Sequence, residues 1–131
     1  LGRKLLLHVG DIMPRGADVP RVRAGATLAD GLLEMTRKGL GLTAITQGED
    51  VLAGVFTDGD LRRALDSGVD LRATTMDALM TRNPRTVAPT QLAAEAVNSM
   101  QEHRITALLV VDGGRLVGAL NIHDLLRAGV V

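Results

Sequence analysis

Gly54-Val55-Phe56-Thr57-Asp58-Gly59-Asp60-Leu61-Arg62-Arg63-Ala64 is the stretch whose reading decides the fold. An apolar run stops at Thr57, and the residues after it suit a helix. Extended chain turns into helix only through a corner, and threonine caps such corners by accepting a hydrogen bond from an N–H of the first helical turn. The arrangement returns at Gly118-Ala119-Leu120-Asn121-Ile122-His123-Asp124-Leu125-Leu126-Arg127-Ala128, with Asn121 in place of the hydroxyl residue. A strand-corner-helix unit that occurs twice in one short chain calls for a search for a longer repeat.

Residues 9–66 laid over residues 76–131 supply it. Ile12-Met13 falls on Leu79-Met80, Val22 on Val87 and Met35 on Met100. After a one-residue shift Gly54 falls on Gly118, and Asp60-Leu61-Arg62-Arg63-Ala64 on Asp124-Leu125-Leu126-Arg127-Ala128. Each copy opens with an extended piece, Arg21-Val22-Arg23 or Arg85-Thr86-Val87. A helix follows, with Leu28, Leu32 and Met35, or Ala93, Ala96, Val97 and Met100, on one face. Thr27 and Thr90 are its expected N-caps. Next come two strands joined by a Gly- and Asp-rich turn: Leu42–Thr46 and Val51–Thr57 around Gln47–Asp50, then Ala107–Val111 and Arg115–Asn121 around Asp112-Gly113-Gly114. Helices Asp58–Asp66 and Ile122–Ala128 close the copies.

The fold class is therefore α+β, two βαββα modules at 9–66 and 76–131. A three-stranded sheet of this size leaves an apolar face uncovered, so the expectation is an intramolecular pair packed sheet to sheet around a shared core. Ser67–Thr75 is the linker. The leader, residues 1–8, is expected to run helically into Val9. With Leu1 rather than Met first, it reads as the entry from an upstream domain.

Composition narrows the function. Fifteen basic and fifteen acidic residues give no net charge, so no basic face is on offer for nucleic acid or an anionic membrane surface. Phe56 is the single aromatic residue, which removes the stacking platform of single-strand binders. With 46% hydrophobic residues, the core must be aliphatic. The absence of cysteine excludes disulfides, thiolate nucleophiles and cysteine–zinc sites. His8, His103 and His123 lack metal-ligand spacing. No apolar run reaches the roughly 18 residues of a membrane span, and no signal peptide is visible. A cytoplasmic setting follows, with no cofactor and no metal expected.

The motif glycine, two apolar residues, Thr or Ser, two variable residues and Asp resembles the closing motif of the CBS domain family. Gly54–Asp60 matches it fully, and Gly118–Asp124 matches except at Asn121. Leu1–Leu7, Gly54–Arg63 and His123–Val131 are similar to the C-terminal half of bacterial arabinose-5-phosphate isomerases, which carry a catalytic SIS domain upstream. That resemblance implies a regulatory pair in a protein that interconverts ribulose 5-phosphate and arabinose 5-phosphate for Kdo and lipopolysaccharide or capsule synthesis. It implies partners: the SIS domain, a small nucleotide or sugar nucleotide (an adenine nucleotide, or the activated end product CMP-Kdo), and further copies in a homo-oligomer. It places ligand contacts at Thr57, Gly59 and Asp60 in the first copy and at Asn121, His123 and Asp124 in the second.

Physical chemistry gives those residues two roles. The first N–H groups of a helix lack intrahelical partners and attract anions. Thr57 adds a hydroxyl, Gly59 permits close approach, and Asp60 can accept from sugar hydroxyls. The same spacing, Thr57-x-x-Asp60 and Asn121-x-x-Asp124, also approximates a capping box that needs no ligand. Asp58 would repel a phosphate unless Arg62, Arg63 or an arginine of the other copy compensates, whereas Ile122 at that place leaves the second copy better suited to an anion despite the lost threonine, so the two corners stand unranked. His103-Arg104, at the place of Lys38-Gly39, reads as a solvated turn, and His8 as a helix end. Glu34/Lys38 and Asp58/Arg62 read as solvated helix faces, and Met13, Met35, Met80 and Met100 as packing residues.

Sugar isomerisation through an enediol needs a base beside the substrate carbon together with a phosphate loop. Nothing in this chain supplies the two together, so no catalytic residue is assigned. Three readings compete: a ligand sensor, a ligand-free scaffold that pairs chains through faces such as Leu61/Leu65 and Leu125/Leu126, and an independent enzyme. Turnover by these residues alone would be needed for the third.

Overall fold

Both sequence copies build the β-α-β-β-α order that their periodicity implies. The structure is a computed structural model that describes residues Leu6–Val130. In chain order the elements are α1 (Val9–Ile12), a 3-10 turn (Gly16–Asp18), β1 (Arg21–Arg23), α2 (Leu28–Lys38), β2 (Leu42–Gln47), β3 (Val51–Thr57), α3 (Asp58–Asp66), α4 (Met76–Leu79), β4 (Thr81–Arg82), β5 (Thr86–Val87), α5 (Ala93–His103), β6 (Ala107–Asp112), β7 (Arg115–Asn121) and α6 (Ile122–Arg127). They form two units. One is Val19–Pro84; the other joins the residues through Asp18 to those from Arg85 onward.

In the unit Val19–Pro84, β1 runs parallel to β2, β2 antiparallel to β3, and β3 antiparallel to the short β4. The α2 helix starts where Thr27 accepts from the Asp30 N–H at 3.2 Å and stops at Gly39, whose φ of 67° suits glycine. Its inner face presents Leu28, Gly31 and Met35 to Ile45, Phe56 and Met76, all buried. Phe56 is fully enclosed, and a side chain of that size contributes about 1.5–3 kcal/mol by leaving water. Glu34 departs from the expected solvated face: its side chain is only 17% exposed, pairs with Lys38 at 3.0 Å and accepts the Arg21 N–H at 3.1 Å. Burial pushes the Glu34 carboxyl up, but the Arg21 N–H, the Lys38 ammonium and the Arg37 charge outweigh it and hold the pKa below the usual glutamate value.

In the second unit β5 runs parallel to β6 and β6 antiparallel to β7. The two-residue turn between β6 and β7 is Gly113-Gly114, with φ of 59° and 83°, the left-handed pair that a tight hairpin of this hand requires. The register slips between Ile45 and Thr46 in one copy and between Val110 and Val111 in the other, which are equivalent places. The core of this unit gathers Val9, Val97, Met100, Leu108, Leu120 and Leu125.

Two expectations are corrected here. Thr90 is not an N-cap. A turn in which the Gln91 side chain accepts the Ala88 N–H at 2.8 Å delays the helix, so α5 begins at Ala93 with Leu92 as its cap residue. The Glu95 carboxylate accepts the Leu92 N–H at 3.1 Å, and the Leu7 carbonyl accepts the Ala93 N–H at 2.7 Å. The leader helix falls partly on Leu1–Leu5, outside the described residues. From Leu6 to His8 the chain is not helical; His8 forms an antiparallel bridge with Leu92. That pairing spends the backbone groups a helix would use, and α1 starts only at Val9, with His8 as its cap residue.

The units cut across the sequence copies. The lead-in of the first copy, through Asp18, packs with the second copy's βαββα, and residues 67–84 pack with the first copy's. The two arrangements match: a bridge joins Thr27 to Thr75 as one joins His8 to Leu92, and the Leu28 N–H donates to the Thr74 carbonyl at 2.8 Å as Ala93 does to Leu7. Glycines make room for these lead-ins. Met80 lies on Gly54, its sulfur 2.6 Å from where a Cβ would stand, and Met13 lies on Gly118 in the same way.

Candidate functional site

In the first copy, Thr57, Gly59 and Asp60 come together where β3 meets α3. Strand pairing with β2 fixes the corner, and the Asp58 N–H donates to the Gly41 carbonyl at 3.3 Å. The capping box is formed. The Asp60 N–H donates to Thr57 Oγ1 at 3.3 Å, and Asp60 Oδ2 accepts the Thr57 N–H at 2.9 Å and its hydroxyl at 3.1 Å. Thr81 Oγ1 reaches the same oxygen at 3.5 Å. The other carboxylate oxygen takes Arg63 Nη2 at 2.5 Å. Asp60 is buried, at 8% exposure, whereas the Arg63 side chain is 72% exposed.

In the second copy, Asn121, His123 and Asp124 meet where β7 enters α6. The Ile122 N–H donates to the Thr106 carbonyl at 2.9 Å, as Asp58 does to Gly41. Asn121 Oδ1 accepts the His123 N–H at 2.6 Å, and Asp124 Oδ2 accepts the Asn121 N–H at 2.9 Å. Arg127 Nη2 holds the other Asp124 oxygen. His123 thus joins the corner through its backbone, and the residue itself is exposed. Asp124 has two donors where Asp60 has four.

Sequence reasoning named Arg63 only as a charge that could offset Asp58, not as the partner of Asp60, and it missed Arg127 and Thr81. Arg63 and Arg127 lie three residues after their acids, and that i,i+3 spacing is the signal in the sequence that marks both pairs. Thr81 lies 21 residues from Asp60, and no local pattern marks it. His103 Nδ1 lies 2.9 Å from the Ser99 carbonyl, which settles it on its own helix. Among the described residues no cluster of His, Cys, Asp or Glu could hold a metal ion, and no helix is long and apolar enough to cross a membrane.

Gly59 is singular among these residues. Its φ is not positive, and the nearest atoms an added Cβ would meet are the Arg63 guanidinium and Thr57 Oγ1, at an ordinary 3.6–3.7 Å. Neither backbone strain nor packing requires glycine there.

The sequence pattern of the CBS domain family matches residues 9–67 and 76–131. The chain belongs to the CBS domain family. As a CBS pair it is similar over its whole length to two curated proteins named arabinose 5-phosphate isomerase KdsD. The protein from Pseudomonas aeruginosa is 55% identical over 132 residues and that from Escherichia coli K12 is 53% identical over 131. The chain spans 40% of the length of each. Among solved structures, that of CBSX2 in complex with AMP is 26% identical with a TM-score of 0.80, over 93% of this chain and 95% of that one.

Proposed function

We propose that this CBS pair is the ligand-sensing part of an arabinose-5-phosphate isomerase, and that a nucleotide places its phosphate at the Thr57–Asp60 corner. The observation that carries the reading is Gly59. A glycine that neither fold nor packing needs leaves the start of α3 open to close approach. The Asp58 and Asp60 N–H groups are spent on Gly41 and Thr57, and the Gly59 N–H between them is the donor left for an anion. Asp58, exposed at the first helical position, opposes a phosphate, but solvent screens it, and Arg63 lies beside Gly59 to offset it. Asp60 spends its acceptor sites on Thr57, Thr81 and Arg63 and so shapes the first corner; at the second corner Asp124, with two donors, keeps capacity for a sugar hydroxyl, flanked by Asn121 and His123.

The AMP held by CBSX2 supports an adenine nucleotide as ligand class. The isomerase relatives support a sugar nucleotide such as CMP-Kdo, the activated end product of the sequence that arabinose 5-phosphate feeds. On this reading the SIS domain in the remaining length of such a protein performs the isomerisation in the cytoplasm, and the CBS pair biases it.

Thermal unfolding of the chain with AMP, ADP, ATP, CMP and CMP-Kdo tests the proposal. A ligand at about 100 times its Kd adds about 2.7 kcal/mol to stability. No shift with any of the five refutes it.

A second reading, assembly of chains, is favoured by Leu33, Leu65 and Leu126, which stand 52%, 57% and 52% exposed on helices. Sedimentation distinguishes it: a monomer at high concentration removes it.

A further inference from the structure

The segment Leu7–Pro14 is held at two places within one unit. At its start the Val9 and Gly10 N–H groups donate to the Gln91 and Pro89 carbonyls at 2.8 and 2.9 Å, and the Leu7 carbonyl takes the first N–H of α5. At its end Met13 covers Gly118, and the Pro14 carbonyl accepts the Ala119 N–H at 3.2 Å. Val9, between these anchors, is fully buried in the same core as Leu120 and Leu125. Ala119 lies two residues before Asn121, which caps α6 and is held by Asp124.

We infer that Leu7–Pro14 is a strap that couples the chain upstream of it to the β7–α6 corner of the second copy. A shift of β7 at Ala119 cannot occur without moving Pro14 or breaking its hydrogen bond. Met13 cannot slide along the strand, because Gly118 is the residue that gives it room. Val9 is rigidly seated, so displacement at Pro14 passes along α1 to His8 and Leu7. The equivalent strap in the other unit, Thr74–Thr81, shows how close the link between strap and corner can be: it covers Gly54 with Met80 and brings Thr81 Oγ1 to Asp60 itself. In chain order, the first copy's lead-in therefore reports on the second copy's corner. This goes beyond the sensing proposal, which puts the phosphate at Thr57–Asp60, by naming the element that ties the second copy's corner to the chain before it.

Residue-resolved hydrogen exchange on the 131-residue chain tests the strap without any ligand. Asp124→Asn weakens the hold on Asn121 and Arg127, and exchange at Val9, Gly10 and Ala119 should rise by about fivefold or more, whereas Asp60→Asn should leave those amides within about twofold of wild type. In a Met13→Ala background the response of Val9 and Gly10 to Asp124→Asn should disappear. If Asp124→Asn does not fold, Asn121→Ser, which keeps a capping oxygen, perturbs the same corner. Faster exchange at Ile122–Asp124 with Val9 and Gly10 unchanged would overturn the strap, as would an equal response to Asp60→Asn. Failure of AMP to bind sinks the nucleotide proposal instead, and the variants still decide the strap.

Discussion

Met76 fills the space in which a side chain at position 31 would stand: a Cβ added to Gly31 would lie 3.0 Å from its Cγ and closer still to its sulfur and terminal methyl. The second copy solves the same contact with other sizes, placing Ala96 and Val9 at the equivalent positions of its core. A small residue on the helix goes with a long one on the lead-in, and a larger one with a shorter. Gly31→Ala should therefore destabilise the chain by about 1–3 kcal/mol through overpacking, although alanine is the better helix former. Adding Met76→Val, which rebuilds the second copy's pairing, should recover most of the loss. Urea denaturation of the two variants measures both.

Glu34 gives a pH dependence with a defined sign. Its folded pKa is lower than its unfolded one, so it binds protons more weakly in the native state. Its stabilisation is fully present above the ordinary carboxyl range and is lost as pH falls through the lowered value. Glu34→Gln keeps an acceptor for the Arg21 N–H but loses the charge. It should cost about 0.5 kcal/mol at neutral pH, and the gap to wild type should close in acid.

Gly39 and Arg104 end equivalent helices in the left-handed conformation, with φ of 67° and 54°. Only the first is glycine. Arg104→Gly should raise stability by about 0.5 kcal/mol, the relief of strain exceeding the added freedom of the unfolded chain, and Gly39→Ala should lower it by about 1 kcal/mol. Denaturation midpoints of the two variants should move in opposite directions.

The duplication, the strands and the closing motif were legible because they are local: period, turn residues and corner chemistry lie within a few positions of one another. Thr90 misled for the same reason, since the side-chain bond of Gln91 and the carbonyl of Leu7 decide where α5 starts, and the second is 86 residues away in sequence from the Ala93 it meets. The membership of Val9–Asp18 in the second copy's unit was beyond periodicity, which reports the faces of an element and not the partner that covers them. Gly54 and Gly118 were visible as motif positions, but their reason, the methionine lying on each, comes from the other copy's lead-in. The corner residues were found, and Arg63 was named as a compensating charge; its pairing with Asp60, and Arg127 with Asp124, were missed because ion-pair reasoning favoured i,i+4 spacing, and Thr81 because it arrives from a distant strand.

Calorimetric titration of AMP into wild-type chain and Gly59→Ala tests the central claim most directly. Alanine suits a helix better than glycine by about 0.5–1 kcal/mol at most positions, so the variant should unfold no earlier than wild type when no ligand is present. The account predicts saturable binding to wild type and affinity about tenfold or more lower in Gly59→Ala, since the added methyl covers the free N–H, a loss of about 1.4 kcal/mol. Equal affinity in the two proteins, or no saturable binding by wild type, would contradict it.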